Sequence, residues 1–328
     1  MSQEVIHDIQ LITAPFANTW EHVQGPGGNT SVKEQDMMLI KASGFTFKDV
    51  GNSTGLVWTD NHQVIKNLST SCDDGSLECP LARVIKSIPE GLRPSMEFEF
   101  HAALGKYVLH THSVYVNVIT CCIECPSLLN TIFSDISYVL VPYIMPGHPL
   151  ASYIYRTVSS GEKAQLYFLK NHGIIVHAET AEEVLYIYDL VQQRIIDFLK
   201  LSIVIESDSE ITGLERKELF FEKISNGIDQ MEIEDVNDRI LVPDQSIFFR
   251  NKVSATDSSA NVYFDLENKK ILIKGSPKFI EAAESMLKMI YYILSNQRYL
   301  GLKSEFISKK ELDVLHGLSS EKYRASIL

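Results

Sequence analysis

The spacing of hydrophobic positions over the first 200 residues predicts strands that alternate with helices. Runs with the pattern of buried strands occur at residues 37–42, 107–113, 138–145, 165–169 and 174–176. Residues 57–65, interrupted by Asp60 and Asn61, resemble a strand–turn–strand unit. Helices are predicted at residues 4–20, 113–122 and 180–199, and Thr180 with Glu183 fits a capping box for the last. Residues 69–80 are predicted to be an exposed polar loop and 81–88 a short amphipathic element.

The pattern changes beyond residue 200. Residues 206–235 are acidic and mixed, which predicts helical pieces with a linker, and residues 262–266 with 271–273 have the pattern of a hairpin. Ser276 and Pro277 open a predicted helix, and Ser308 with Glu311 forms a capping box for a second. The chain of 328 residues is long enough for a large α/β domain plus a smaller one. We therefore divide it into residues 1–200 and a C-terminal extension, 201–328, and interpret the extension as packing or assembly surface.

Two histidines lie one residue apart on the predicted strand at residues 107–113. Successive side chains of a strand point to opposite faces, so His110 and His112 share one face. Imidazoles at alternate positions of an apolar strand are costly to bury unless they are paired. Catalytic zinc uses three protein ligands and keeps one position open. The pair therefore predicts a metal site with a third ligand elsewhere in the chain.

A third histidine and a carboxylate complete a candidate set. His172 lies at a junction between two predicted strands, where a side chain can be aimed inward. Glu97 lies near the start of a predicted helix, with Ser95 as its predicted N-cap and His101 four residues later on the same face. Three imidazoles and one carboxylate match the inventory of a catalytic zinc site. Iron, cobalt or manganese also fit three imidazoles, so the residues predict a divalent metal without fixing its identity.

A glycine-dense turn at residues 24–31 is a candidate anion site. Glycines let backbone N–H groups approach an anion, and Asn29, Thr30 and Ser31 add side-chain donors. An ordinary hairpin turn accounts for the same run. Ser43 and Gly44 form a second small-residue corner after the strand at residues 37–42.

Composition restricts the expected partners and compartment. The chain has a net charge of -12 and a pI near 5.3, which argues against nucleic acid or an anionic membrane as a main partner. No apolar run approaches the roughly 20 residues that span a bilayer, and no signal-peptide pattern begins the sequence. The five cysteines fit a reducing cytoplasm better than a disulfide framework, and Cys122 and Cys125 are interpreted as packed thiols. We expect a cytoplasmic protein.

The candidate residues fall into motifs with a definite order along the chain. The motifs are Gly28-Asn29-Thr30-Ser31, Ser43-Gly44, Pro94-Ser95-Met96-Glu97 with His101, His110-Thr111-His112 and Asn171-His172-Gly173. In this order they resemble the class II aldolase/adducin family, and its fuculose- and rhamnulose-phosphate aldolases are closest in motif. The resemblance covers roughly residues 5–200, and the histidine motifs with the upstream Pro-Ser-x-Glu carry it. A longer branch of the family, which includes aldolase halves of bifunctional enzymes, resembles part of the C-terminal region.

The resemblance implies a layered α/β/α fold with a central, largely antiparallel sheet, here joined to a smaller C-terminal α+β extension. It also implies a homotetramer with active sites at subunit interfaces, a sugar-phosphate substrate and Zn²⁺ as cofactor. Carried onto this sequence, it makes His110, His112 and His172 the metal ligands, Glu97 the acid/base, and Asn29, Ser43, Gly44 and Ser95 the phosphate-binding residues, with Gly28 shaping the turn. Met96 departs from the pattern, because the fuculose-phosphate type has a second serine there.

The function implied by the resemblance is reversible cleavage of a ketose 1-phosphate, or a related sugar, into dihydroxyacetone phosphate and an aldehyde. The metal would stabilise an enediolate, and Glu97 would move the proton at the carbon that gains or loses the bond. A sugar-phosphate epimerase or dehydratase could use the same metal site. A non-catalytic, adducin-like interaction module is the alternative from another class, but it would have little reason to keep three metal-binding histidines and the acid.

Overall fold

The computed structural model describes residues 3–51, 53–71, 77, 84–201, 207–208, 216–221, 232–267, 270–319 and 322. Within these ranges, no helix combines the length and apolar character that a membrane crossing requires.

A large mixed sheet forms the centre of residues 29–178. In the described part of the chain it has eight strands, in the order β4-β3-β2-β1-β5-β8-β7-β6. Every neighbouring pair is antiparallel except β6 and β7, which are parallel. The strands are β1 (Asn29–Glu34), β2 (Met37–Lys41), β3 (Leu56–Asp60), β4 (Val84–Ile88), β5 (Tyr107–Thr111), β6 (Val139–Val141), β7 (Leu166–Leu169) and β8 (Gly173–Ala178). The prediction of a central, largely antiparallel sheet is confirmed.

Helices cover both faces of this sheet. On β5, Leu109 packs into one apolar cluster with α1, α5 and α8, whereas its neighbour Val108 packs into a second cluster with α3, α4 and α7. This alternation is what a strand buried on both faces requires. The helices are α1 (Gln3–Thr13), α2 (Phe47–Gly51), α3 (Asn61–Ser71), α4 (Phe98–Ala103), α5 (Val114–Thr120), α6 (Cys125–Ile132), α7 (His148–Ser159) and α8 (Ala181–Leu199). The predicted α/β/α layering is therefore present.

The C-terminal region contains a second sheet and further helices. Its strands, in the order β11-β12-β13-β10-β9, are β9 (Ser207–Asp208), β10 (Arg216–Phe221), β11 (Val253–Ser254), β12 (Val262–Asp265) and β13 (Lys270–Lys274). Its helices are α9 (Ile233–Asn237), α10 (Pro243–Phe249), α11 (Pro277–Leu300) and α12 (Lys309–Gly317). The long helix α11 packs on α5, where the Gln297 side chain donates to the backbone oxygen of Val118 over 2.9 Å. The predicted hairpin and both predicted helices are confirmed.

Several local predictions are wrong. Residues 61–65 begin α3 instead of a second strand, because the Asp60 carboxylate accepts from the backbone N–H of Gln63 over 2.9 Å, as a helix N-cap does. Residues 84–88 form strand β4, and residues 216–221, where helical pieces were expected, form strand β10. Most of the predicted loop at residues 69–80 lies outside the described residues, as do Cys72 and Cys79.

Candidate metal centre

The three predicted histidines converge on one point. The centroids of the rings of His110, His112 and His172 lie 4.9–5.0 Å apart in every pair, and all three side chains are at least 97% buried. The Nε2 atoms of His110 and His112 are 3.2 Å apart. Two nitrogens that bind one tetrahedral ion at about 2.1 Å lie roughly 3.4 Å apart. One ligand nitrogen from each ring can be chosen so that all lie within 4.8 Å of one another, so the donor set fits a single metal ion.

Local backbone features bring His172 to the other two rings. It follows Asn171, whose backbone has a φ of +52°, a left-handed conformation that asparagine tolerates well. The residue after His172 must be glycine, because a Cβ at Gly173 would lie 2.2 Å from the backbone oxygen of Thr111. This close approach lets β8 pair with β5, and the turn before it points His172 at His112.

The far nitrogens of two of these rings face hydrogen-bond acceptors. The Nδ1 atom of His110 lies 2.9 Å from the backbone oxygen of Ile174, which can only accept, so Nδ1 donates and Nε2 is the nitrogen left for a metal. The Nδ1 atom of His112 lies 3.5 Å from the Oδ2 atom of Asp244. Asp244 is in the first turn of α10 and is 2% exposed. The sequence held no signal for it, because it is remote from every motif.

Glu97 lies beside the histidines. Its two carboxylate oxygens are 3.4 Å from Nε2 of His110 and 3.3 Å from Nε2 of His172. Glu97 is the N-cap residue of α4, so the prediction that Ser95 caps this helix is wrong; the Ser95 hydroxyl instead accepts from the backbone N–H of Glu97 over 3.3 Å. Burial opposes ionisation of Glu97, but His110 and His172 outweigh it and hold its pKa well below the usual range. The residue is therefore a carboxylate at neutral pH.

A chain of hydrogen bonds fixes the position of this carboxylate. The Asn29 amide nitrogen donates to Glu97 over 2.8 Å and to the Ser95 hydroxyl over 3.1 Å. The Asn29 oxygen accepts from Nε2 of His101, whose Nδ1 accepts from the Ser31 hydroxyl over 2.8 Å. Burial lowers the pKa of His101 well below its usual value, so the ring is neutral and this tautomer is retained.

The predicted anion-binding residues border the same cleft. Gly28, Asn29, Ser43, Gly44, Ser95, Glu97, His112 and His172 all line it, together with Met96 and Asp244. Gly28 has a φ of +62°, and a Cβ there would lie 2.8 Å from the backbone oxygen of His110, so glycine is required.

Lys41, which the sequence reading overlooked, also lines this cleft. It is 2% exposed, and its ammonium donates to the backbone oxygens of Pro26 over 2.9 Å and Phe45 over 2.6 Å. A lysine that ends an apolar strand just before Ser43-Gly44 was the available signal. The Lys41 amine is therefore a further polar group at this cleft.

The chain is similar to known proteins over its first two thirds. The family model of the class II aldolase and adducin N-terminal domain matches residues 13–194. A curated relative, the uncharacterized oxidoreductase YuxG of Bacillus subtilis (strain 168), is 30% identical over 168 aligned residues. The alignment covers 48% of this chain and 24% of that protein. The chain thus matches about a quarter of the length of this relative.

Solved structures of aldolases also align with the chain. The N-terminal class II aldolase domain of a conserved protein from Thermoplasma acidophilum aligns with a TM-score of 0.49 and 22% identity over 61% of this chain and 95% of that one. A sugar-phosphate aldolase from Thermotoga maritima aligns with a TM-score of 0.47 and 15% identity over 60% of this chain and 94% of that one. An L-fuculose 1-phosphate aldolase aligns with a TM-score of 0.44 and 18% identity over 63% of this chain and 92% of that one.

Proposed function

The chain belongs to the class II aldolase and adducin family, and from this premise we propose that it is a metal-dependent aldolase. The proposed reaction is the reversible cleavage of a ketose 1-phosphate, or a related sugar, into dihydroxyacetone phosphate and an aldehyde. The observation that carries the proposal is the buried set of three imidazoles with the Glu97 carboxylate 3.3–3.4 Å from two of them. An interaction module has no evident use for an acid buried against two histidines of a cluster of three.

His110, His112 and His172 would hold the metal, and Zn²⁺ is the ion that three imidazoles with an open fourth position suit best. When bound, it would supply Lewis-acid stabilisation of negative charge that develops on the substrate oxygens. The Nδ1 contact of His110 keeps its Nε2 lone pair directed at the ion. Iron, cobalt or manganese remain alternatives that metal analysis distinguishes.

Glu97 would take and return the proton at the carbon whose bond is made or broken. It is ionised at neutral pH, so it has no proton of its own and can receive one. The Asn29 amide fixes one carboxylate oxygen, so the base is oriented before substrate arrives. A positioned base of this kind contributes on the order of 10²–10⁴-fold to the rate.

The substrate phosphate would lie against Asn29, Ser43, Gly44 and Ser95. The buried Lys41 side chain also lines the cleft, and a protonated amine there would favour an anionic substrate in a chain of net charge -12. Met96 also lines the cleft and offers no hydroxyl. The proposed class therefore includes sugar acids and unphosphorylated sugars with the ketose phosphates.

A carbon–carbon bond-forming assay tests the proposal directly. Purified protein with Zn²⁺ is incubated with dihydroxyacetone phosphate and a panel of short aldehydes, and products are identified by mass spectrometry and NMR. We expect a new ketose phosphate, lost in His172→Ala. Interconversion of sugar phosphates without a new carbon–carbon bond would point to an epimerase or dehydratase. A chain that binds no divalent metal even when metal is supplied would be an adducin-like module, and the proposal would fall.

Assembly and location follow the family expectation and are part of the same proposal. We propose a homotetramer in the cytoplasm, with a small-molecule substrate and neither nucleic acid nor a membrane as partner. Light scattering after size-exclusion chromatography tests the assembly, and a monomer at micromolar concentration would contradict it.

A further inference from the structure

The C-terminal region contacts the metal centre at two places. Asp244 of α10 faces the Nδ1 atom of His112 over 3.5 Å. The Asn171 side chain, next to His172, donates to the backbone oxygen of Leu241 over 3.0 Å and to that of Glu305 over 2.7 Å. Residues 241–244 thus lie against two of the three histidine positions. Sequence analysis had interpreted this region as packing or assembly surface only.

We propose that Asp244 is a positioning residue for the metal centre, which holds the ring of His112 with Nδ1 protonated and Nε2 directed at the ion. This inference rests on the proposed metal centre but not on the identity of the sugar. A histidine that binds a metal through one nitrogen commonly donates from the other to a carboxylate, which fixes the tautomer and strengthens the ligand. His110 has a backbone oxygen in the corresponding place, and Asp244 would serve His112 in the same way.

The surroundings of Asp244 hold it in place. The Gln245 side chain accepts from the backbone N–H of Leu241 over 2.9 Å and donates to the backbone oxygen of Asp235 over 2.9 Å, which anchors the start of α10. Asp244 and His112 are both at least 97% buried. A carboxylate so deeply buried is costly unless a partner compensates its charge.

Gly27 lies next to the contact between Asp244 and His112. A Cβ at Gly27 would lie 2.9 Å from Oδ2 of Asp244 and 3.0 Å from Nδ1 of His112. A methyl group at this position would therefore press on both members of the contact. This gives a second variant that disturbs the contact without removing either partner.

The test measures metal affinity, so it does not depend on knowing the substrate. Zn²⁺ affinity is measured by competition with a chromophoric chelator for wild type, Asp244→Asn and Gly27→Ala. We expect Asp244→Asn to weaken binding by about 10–100-fold, the usual cost of losing such a partner. Gly27→Ala should weaken it in the same direction. In Co²⁺-loaded protein, the visible absorption bands of both variants should shift, because the geometry at His112 changes.

Asp235→Asn is the matched control. Asp235 is 1% exposed on α9 of the same region, but its carboxylate pairs with Arg239 over 2.8 Å and with Arg298 over 3.3 Å. This variant should lower stability and leave the metal affinity of the folded protein and the Co²⁺ spectrum unchanged. An affinity of Asp244→Asn within twofold of wild type would overturn the inference and leave the proposed function standing. If wild type itself binds no metal, the proposed function fails first.

Discussion

The Asn29 amide nitrogen donates to the Glu97 carboxylate over 2.8 Å, although the two residues are 68 positions apart. The register of β1 on β5 sets this relationship, because it pairs Asn29 with His110. His101 orients the amide by donating to its oxygen, so the nitrogen must face the acid. The carboxylate therefore approaches the histidines in an orientation that the sheet itself determines.

Asn29→Asp should lower turnover and move the pH optimum upward. The substitution keeps the shape of the side chain but places a second carboxylate against Glu97, and like charges raise the pKa of such a pair. Glu97 then stays protonated to higher pH and loses the hydrogen bond from the Asn29 amide that orients it, so we expect a loss approaching the ~10²-fold low end of a base's contribution. The readout is the pH profile of kcat. The surface variant Asn130→Asp controls for added charge, and an unshifted profile would contradict the assigned role of Asn29.

Glu97→Gln should retain metal and lose turnover by on the order of 10²–10⁴-fold. The change removes the proton acceptor but leaves the three imidazoles in place. Glu99→Gln is its control on the same helix, since Glu99 is 1% exposed and lies 3.0 Å from His148 instead of the metal ligands. The control should lose stability while the folded protein keeps its turnover. Full activity in Glu97→Gln would remove the acid/base assignment.

Removal of the metal should lower the free energy of unfolding of the wild-type protein. In His172→Ala the free energy of unfolding should be the same with and without metal. A ligand that binds only the folded state adds about 4 kcal/mol to the free energy of unfolding at 1,000 times its dissociation constant. Denaturation is compared with excess Zn²⁺ and with excess chelator. His62→Ala, on α3, is the control. Equal stability of wild type in both conditions would count against a resident metal.

Metal-free protein should lose stability as the pH falls from 6.5 to 4, in part through His177. Burial, which disfavours the charged ring, lowers the pKa of His177 to about 4 from an ordinary value of 6.5. In the folded protein Nδ1 accepts from the backbone N–H of Gly105, as a neutral ring can. The unfolded chain takes up a proton below pH 6.5 that the folded chain refuses until about pH 4, so the unfolding free energy declines as the pH drops.

His177→Gln should flatten this decline, by at most about 3 kcal/mol at pH 4. Glutamine can accept from Gly105 and donate to the backbone oxygen of Ala164, as His177 does over 3.1 Å in each case, without titrating. The measurement is urea denaturation between pH 7 and 4. His7→Gln, at an exposed position of α1, is the control. An unchanged slope in His177→Gln would show that its burial is not linked to acid stability.

Sequence reasoning predicted the strands that carry chemistry, because apolar runs and paired histidines are local signals. The spacing of His110 and His112 is enough to place both rings on one face, and His172 followed from its strand junction. It failed at Asp60, whose capping contact with Gln63 turned an expected strand into α3. The capping box predicted for Thr180 and Glu183 is confirmed only in part: the Thr180 side chain accepts from the backbone N–H of Glu183, but the Glu183 carboxylate accepts from Gln165.

Asp244 and Lys41 lay beyond the reach of sequence reasoning for a different reason. The proposed role of Asp244 depends on how the start of α10 lies against His112, 132 positions earlier in the sequence, and no local spacing encodes that contact. The position of Lys41 depends on the backbone oxygens of Pro26 and Phe45 that accept its hydrogen bonds. Tertiary packing, which local pattern does not contain, decides both.

The hydrogen bonds from the Asn171 amide to the backbone oxygens of Leu241 and Glu305 have a consequence for proteolysis of the chain. A bound ion would restrict the motion of the turn that carries His172, and the same turn is hydrogen-bonded to two segments of the C-terminal region. Occupancy at the centre should therefore slow protease cleavage after residue 232, far along the chain from every proposed ligand. The rate of proteolysis would then report metal occupancy, and the measurement does not require the substrate to be known.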